Sequence, residues 1–317
     1  MNNIDTLKLT SDMRYYSENG GERSQRVGNI LKRVTQIQEL LSGKFSLVFV
    51  TDKGMGKTSV INYMLDLMYE KEIKTKSGRK SVVYQDVLET GSGATTTAET
   101  EIIQSTSNYC EIEIVPSSKD EVEELLRSFA KYIFKEVNTE FQGYSLIAPE
   151  LFRAMRNMTG LKEVEREGEE RIDLAKELAK KYSLDSYVLF ENEIFKMANL
   201  ENRIKTEFTF IRGEDEKKSI RSISNKINLM SIDDIPLPKK VIVKLRKDIF
   251  DFDTLGCIDK IIDTRGLESG VVATDRKDIR ELFKKDKDKI IVLIDKFNSP
   301  SQSIMKLIDT YICDDDY

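Results

Sequence analysis

The 317 residues carry 50 lysines and arginines against 55 aspartates and glutamates, a net charge of -5, and 39% of them are hydrophobic. A chain of this size can bury a full core, and its mildly acidic balance excludes a protein whose whole surface coats nucleic acid. Histidine is absent, which excludes serine–histidine hydrolysis, His-ligated zinc and any histidine base; chemistry is left to carboxylates, lysine, threonine, a metal or a positioned water.

From the N-terminus, a polar arm ends in Asn19, Gly20 and Gly21. Val27, Ile30, Leu31, Val34, Ile37, Leu40 and Leu41 then repeat at helical spacing, so residues 1–43 read as an arm and a packed helix. A short apolar strand, Phe45 to Val50, runs into Thr51-Asp-Lys-Gly-Met-Gly-Lys-Thr58 and then into an amphipathic helix expected over Ser59 to Tyr69. Strand, glycine-bearing loop and helix in this order form a phosphate-gripping P-loop, with Thr51 in place of the first glycine of G-x-x-x-x-G-K-[ST]. Gly54 and Gly56 let backbone N–H groups converge on phosphate, and the helix start adds its dipole. Phosphate binding is therefore expected from Asp52, Lys53, Gly54, Met55, Gly56, Lys57, Thr58 and Ser59. Lys57 would reach the β- and γ-phosphates, and the Thr58 hydroxyl would ligate Mg²⁺.

Residues 71–80 are charged and read as flexible, and Gly91 to Ala98 as a loop. Glu101 to Ser105 and Tyr109 to Val115 read as strands of a hairpin with one solvated, acidic face. With residues 44–116 taken as the first part of the core, 117–235 reads as an all-helical insertion with charged faces in water. Its helix candidates are Lys119–Val137, Pro149–Met158, Leu161–Tyr182, Leu184–Met197 and Lys217–Met230. Residues 236–317 return to the core with strands at Val241 to Leu245, Cys257 to Asp263 and Lys289 to Asp295 and a helix at Thr274 to Lys284. That spacing belongs to a parallel sheet with right-handed crossovers. The fold class is α/β: a three-layer P-loop NTPase sandwich with a mainly parallel sheet, plus the insertion. Cys110, Cys257 and Cys313 form no C-x-x-C pair and read as reduced thiols of a cytoplasmic protein. No apolar run is longer than a strand.

A P-loop needs a carboxylate at the end of a neighbouring strand. Ile261 to Leu267 offers one as D-x-x-G, with Asp263 placed to hold Mg²⁺ and the Gly266 N–H to sense the γ-phosphate. Among Thr95, Thr96 and Thr97, a hydroxyl could complete the metal shell only when the γ-phosphate is present, the basis of an order–disorder switch.

The P-loop, the segment Val87, Leu88, Gly91, Gly93, Thr96, Thr100, Glu101 and Ile102, and D-T-x-G-L resemble, in order and wording, the bacterial dynamin-like GTPases and related nuclear GTPases. The resemblance covers roughly 44–115 and 238–312. It implies Thr96 as the switch ligand of Mg²⁺; the residues expected to carry catalysis are Lys57, Thr96, Arg265 and Gly266. GTP is then the favoured nucleotide and a homo-oligomer or partner subunit is expected. Arg265 stands where the family carries proline, which puts a cation near the γ-phosphate. Leu267 is apolar where Ras-type GTPases carry a water-orienting glutamine, so the water would be positioned by Arg265, Lys53, a loop carbonyl or a partner, and intrinsic hydrolysis would be slow. The guanine-reading [NT]-K-x-D is missing: Asp295-Lys-Phe-Asn298 has its end residues exchanged and follows Asp263 too closely. The resemblance thus implies that a longer polypeptide or another subunit completes the core, or that the base is held differently. Two readings stand beside it: an ATPase with a variant P-loop, and a non-catalytic nucleotide-binding subunit whose core a partner completes.

Overall fold

The computed structural model describes residues 28–30, 32–35, 43–74, 80–88, 98–143, 145, 147–165, 171–267, 277–283, 288–296 and 298–311. In chain order the strands are β1 (Phe45–Thr51), β2 (Met68–Lys74), β3 (Lys80–Asp86), β4 (Glu99–Gln104), β5 (Cys110–Pro116), β6 (Glu163–Val164), β7 (Ile172–Asp173), β8 (Glu207–Phe210), β9 (Pro238–Leu245), β10 (Ile258–Asp263) and β11 (Lys289–Ile294). The helices are α1 (Lys57–Met64), α2 (Lys119–Val137), α3 (Pro149–Thr159), α4 (Leu174–Ala179), α5 (Tyr187–Ala198), α6 (Glu216–Asn228), α7 (Lys277–Phe283) and α8 (Gln302–Tyr311). Of the described residues before β1, 28–30 and 32–35 are helical, within the helix expected there.

Seven strands form one mixed sheet in the order β11-β1-β10-β4-β9-β5-β8. The strands beside β1 run parallel to it, as does β9 to β4, whereas β4–β10, β5–β9 and β5–β8 are antiparallel. Alternation along β1 decides the layers. Phe49, with Leu47, joins a core that contains Ile61 of α1 and Leu65 just after it; Val48 and Val50 join a second core with Ile279 and Leu282 of α7 and Ile304 and Leu307 of α8. The α/β fold class therefore holds, with helices on both faces of the parallel half.

One face of the outer half of the sheet is covered by helices of segment 117–235. Its apolar residues, including Ile112, Ile114, Val241 and Val243, join the core that Phe129 and Phe134 of α2, Met155 of α3 and Phe190 of α5 complete. The opposite face is a lattice of charge: Lys244 pairs with Glu113 at 2.8 Å, and Lys240 with Glu101 at 2.6 Å. α2 begins where Ser118 and Glu121 form a reciprocal capping box.

Four expectations change. β4 and β5 do not form a hairpin, because β9 lies between them, its Lys244 facing Glu111 and Glu113 of β5 and its Lys240 facing Glu99 and Glu101 of β4. Segment 117–235 is not all helical: β8 joins the main sheet, β6 and β7 form a small ribbon, and among the described residues only α4 survives of the helix expected over Leu161 to Tyr182. α3 ends at Gly160, whose φ of 72° stops the helix in the left-handed region. Finally α1 ends at Met64, and Met68–Lys74 pairs with Lys80–Asp86 as a two-stranded antiparallel ribbon rather than a charged loop. α6 holds that ribbon: Lys217 donates to the carbonyls of Asp66 and Met68 at 2.8 and 3.0 Å, and Arg221 donates to that of Asp86.

Candidate nucleotide site

β1 delivers the chain into the loop 51–58, and α1 leaves it. The turn is made by Gly54 and Gly56, with φ of 80° and 85°, values that cost an L side chain about 1–2 kcal/mol. Gly56 is the N-cap of α1 and has no side chain to satisfy the first-turn N–H groups, a helix start chemically suited to an anion.

The register of β1 with β10 sets the rest. Asp263 lies opposite Phe49 at the C-terminal end of β10, on the face that α1 covers. Lys57 Nζ donates to Asp263 Oδ1 and to the Thr264 carbonyl, and Thr58 Oγ1 donates to Asp263 Oδ2 at 2.8 Å. The ion pair is deeply buried, with 7% and 4% of the two side chains exposed. Thr264 fixes the turn by donating its hydroxyl to the Phe49 carbonyl at 2.7 Å.

D-x-x-G is stitched to the loop by backbone. Leu267 N donates to Thr51 O at 2.9 Å, Lys53 N donates to Leu267 O at 3.0 Å, and Asp52 and Leu267 form a parallel bridge. Gly266 permits this approach: a Cβ there would stand 2.9 Å from Lys53 Cα and 3.2 Å from Lys53 N. Lys53 in turn donates to Glu150 of α3, so segment 117–235 reaches the loop. Thr51 Oγ1, Asp52 Oδ1 and Glu150 Oε2 are buried without a hydrogen-bond partner.

Of the expected site residues, Lys53, Lys57, Thr58, Asp263 and Gly266 are therefore brought together, with Asp52 beside them. Met55 is half-buried in the loop, Ser59 is exposed on α1, and Arg265 lies half-buried in the turn between Thr264 and Gly266. Thr96, with Thr95 and Thr97, lies outside the described residues, as do Gly91, Gly93 and the stretch after Leu267. Glu150, Thr264 and Asn62 were not among the expected residues. Asn62 is fully buried; it donates to the carbonyls of Thr58 and Leu88 and accepts from Leu88 N, each at 2.9 Å, and so ties α1 to the end of β3. A polar residue among Ile61, Leu65 and Leu67 was the available signal.

Asp295 is occupied elsewhere. Ser301 N and Lys296 N donate to its two oxygens at 2.6 and 2.7 Å, and these bonds hold its carboxyl below the usual aspartate range. It caps the approach to α8. No group of three or more His, Cys, Asp or Glu side chains among the described residues could hold a metal. A cation here would rest on hydroxyl and carboxylate oxygens and on its ligand. Thr58 Oγ1 and Asp263 Oδ2 are hard donors already in contact, the set Mg²⁺ takes beside phosphate.

No protein-family model matches this chain, and no curated protein matches it. Among solved structures it is similar to a chain described under "An oligomerised bacterial dynamin pair provides a mechanism for the long range sensing and tethering of membranes". The identity is 15% and the TM-score 0.37, over 96% of this chain and 29% of that one. The chain thus spans less than a third of the length of that relative. Among the described residues no helix is long and apolar enough to cross a membrane.

Proposed function

We propose that this chain binds a nucleoside triphosphate with Mg²⁺ in the loop 51–58 and hydrolyses it as a conformational switch. The observation that carries the reading is the buried meeting of Lys57, Thr58 and Asp263 at the C-terminal ends of two adjacent parallel strands. A structural ion pair needs no left-handed glycine loop, no uncapped helix start and no glycine pressed against the loop backbone; an anion site needs all three.

On binding, Lys57 exchanges Asp263 and the Thr264 carbonyl for β- and γ-phosphate oxygens. Thr58 and Asp263 would hold Mg²⁺, which would supply neutralisation of charge on those oxygens. The N–H groups at the start of α1 face the phosphates. Gly266, pressed against Lys53, marks the γ-phosphate end of the loop, and Thr96 is the switch hydroxyl. GTP is favoured by the wording shared with dynamin-like GTPases, and ATP is the alternative.

Equilibrium binding of fluorescent GTP and ATP analogues, with and without Mg²⁺, tests the reading. We expect Mg²⁺-dependent binding that Lys57→Ala abolishes. Equal binding by wild type and Lys57→Ala would refute it.

A further inference from the structure

We propose that Glu150, delivered from segment 117–235 by the first turn of α3, is the catalytic carboxylate that orients the attacking water. This rests on the nucleotide-site reading above. The chain has no histidine, and the residue after D-x-x-G, Leu267, is apolar and 1% exposed, so the customary position holds no group that could grip a water. The carboxylate that does reach the loop comes from 97 residues further along the chain.

Glu150 is 95% buried as a side chain, by its 5% exposure, a costly place for a carboxylate unless it is paired. One oxygen is satisfied: Oε1 accepts from Lys53 Nζ. The other, Oε2, is buried with no partner, an acceptor left open beside the phosphate loop. Lys53 also locates Glu150 along the nucleotide. Its backbone is the surface against which Gly266 packs and its ammonium donates to Glu150, so the D-x-x-G turn and the carboxylate meet the loop at the same residue. The Lys53 cation between Glu150 and the γ-phosphate offsets their repulsion, so the two anions can share the site.

The step balances. The water oxygen bonds to the γ-phosphorus as the bond from that phosphorus to the β–γ bridging oxygen breaks. The bridging electron pair leaves with the nucleoside diphosphate. Glu150 Oε2 accepts the water proton and returns it to the product phosphate. Because such transition states are loose, orientation matters more than basicity, and a carboxylate beside a lysine suffices.

The test separates turnover from binding in the full chain. Phosphate release and the Kd for GTP and ATP analogues are measured for wild type, the isosteric Glu150→Gln, and Glu150→Asp, which keeps the charge one methylene shorter. Expected are a kcat lower by about 100-fold or more for Gln and about tenfold or more for Asp, with Kd within about threefold of wild type. Should Glu150→Gln fail to fold, as read from its melting curve, the Asp variant alone decides on the same criterion. Turnover within about threefold of wild type overturns the proposal. So does tighter binding without loss of turnover, which would make Glu150 a plug on the loop. A wild type that binds nucleotide but releases no phosphate also overturns it and leaves the binding reading intact. Nucleotide binding unaffected by Lys57→Ala would instead sink the site reading itself.

Discussion

Lys57 and Asp263 stand 206 residues apart in the chain and meet in an ion pair that is more than nine-tenths buried on both sides. A buried charge needs its partner, so each side chain offsets the desolvation of the other.

The pair predicts a stability pattern. Asp263→Ala leaves Lys57 buried and uncompensated and should cost about 3–5 kcal/mol; the double variant Lys57→Met/Asp263→Ala, without the stranded charge, should recover part of it. Urea unfolding of the single and double variants measures the coupling. Additive losses would mean that the two side chains are independent in solution.

Gly266→Ala probes the seam between loop and D-x-x-G. The added Cβ would meet Lys53 backbone at 2.9 Å, and backbone cannot rotate away as a side chain can. We expect a loss of about 1–3 kcal/mol together with weaker nucleotide binding. The same melting temperature and the same Kd as wild type would show that the seam opens freely.

Asp173 links α3 to α4. Its carboxylate takes two bonds from Arg156, at 2.9 and 2.6 Å, and caps α4 through Ala175 N and Lys176 N. Burial alone would raise its pKa, but Arg156 and the two backbone N–H groups prevail and hold it below the usual aspartate value. With the folded-state value depressed, its stabilisation is complete above the unfolded pKa, about 3.9, and is lost as pH falls through the folded value. Wild type should therefore exceed Asp173→Asn by about 1–3 kcal/mol at neutral pH, with the gap closing below about pH 4. A gap that does not change with pH would show that the carboxylate charge contributes nothing.

Asp295 serves the approach to α8, since both its oxygens accept backbone N–H bonds. Asp295→Ala should lower the melting midpoint and leave the preference between GTP and ATP analogues unchanged. A shift in that preference would return this aspartate to the base-binding region.

The site was legible in the sequence to the degree that backbone chemistry dictates residue type. Gly54 and Gly56 adopt left-handed φ, Gly266 sits where a Cβ would meet backbone, and Lys57 and Thr58 follow Gly56 as the P-loop pattern has them. Glu150 was not legible, because one acid among 55 carries no mark of the contact it makes until α3 is placed. The alternation of β5 correctly announced one charged and one apolar face, yet alternation reports a face and not a neighbour, so β9 went unseen between β4 and β5. The ribbon of β2 and β3 read as a charged loop because, beyond Met68 and Tyr69, β2 lies exposed and has no core side to give it a period. β8 is only four residues long, and its place in the sheet depends on pairing with β5 across the whole of α2 to α5.

The central claim is that Lys57 holds phosphate in a Mg²⁺-dependent site. Isothermal titration of a non-hydrolysable GTP or ATP analogue into wild type, Lys57→Ala and Thr58→Ala, each first shown to be folded, tests it most directly. The account predicts saturable binding by wild type that weakens at least about tenfold when Mg²⁺ is removed, comparable weakening in Thr58→Ala, and none detectable in Lys57→Ala. Undiminished binding in Lys57→Ala, or no binding of either nucleotide by wild type, would contradict it.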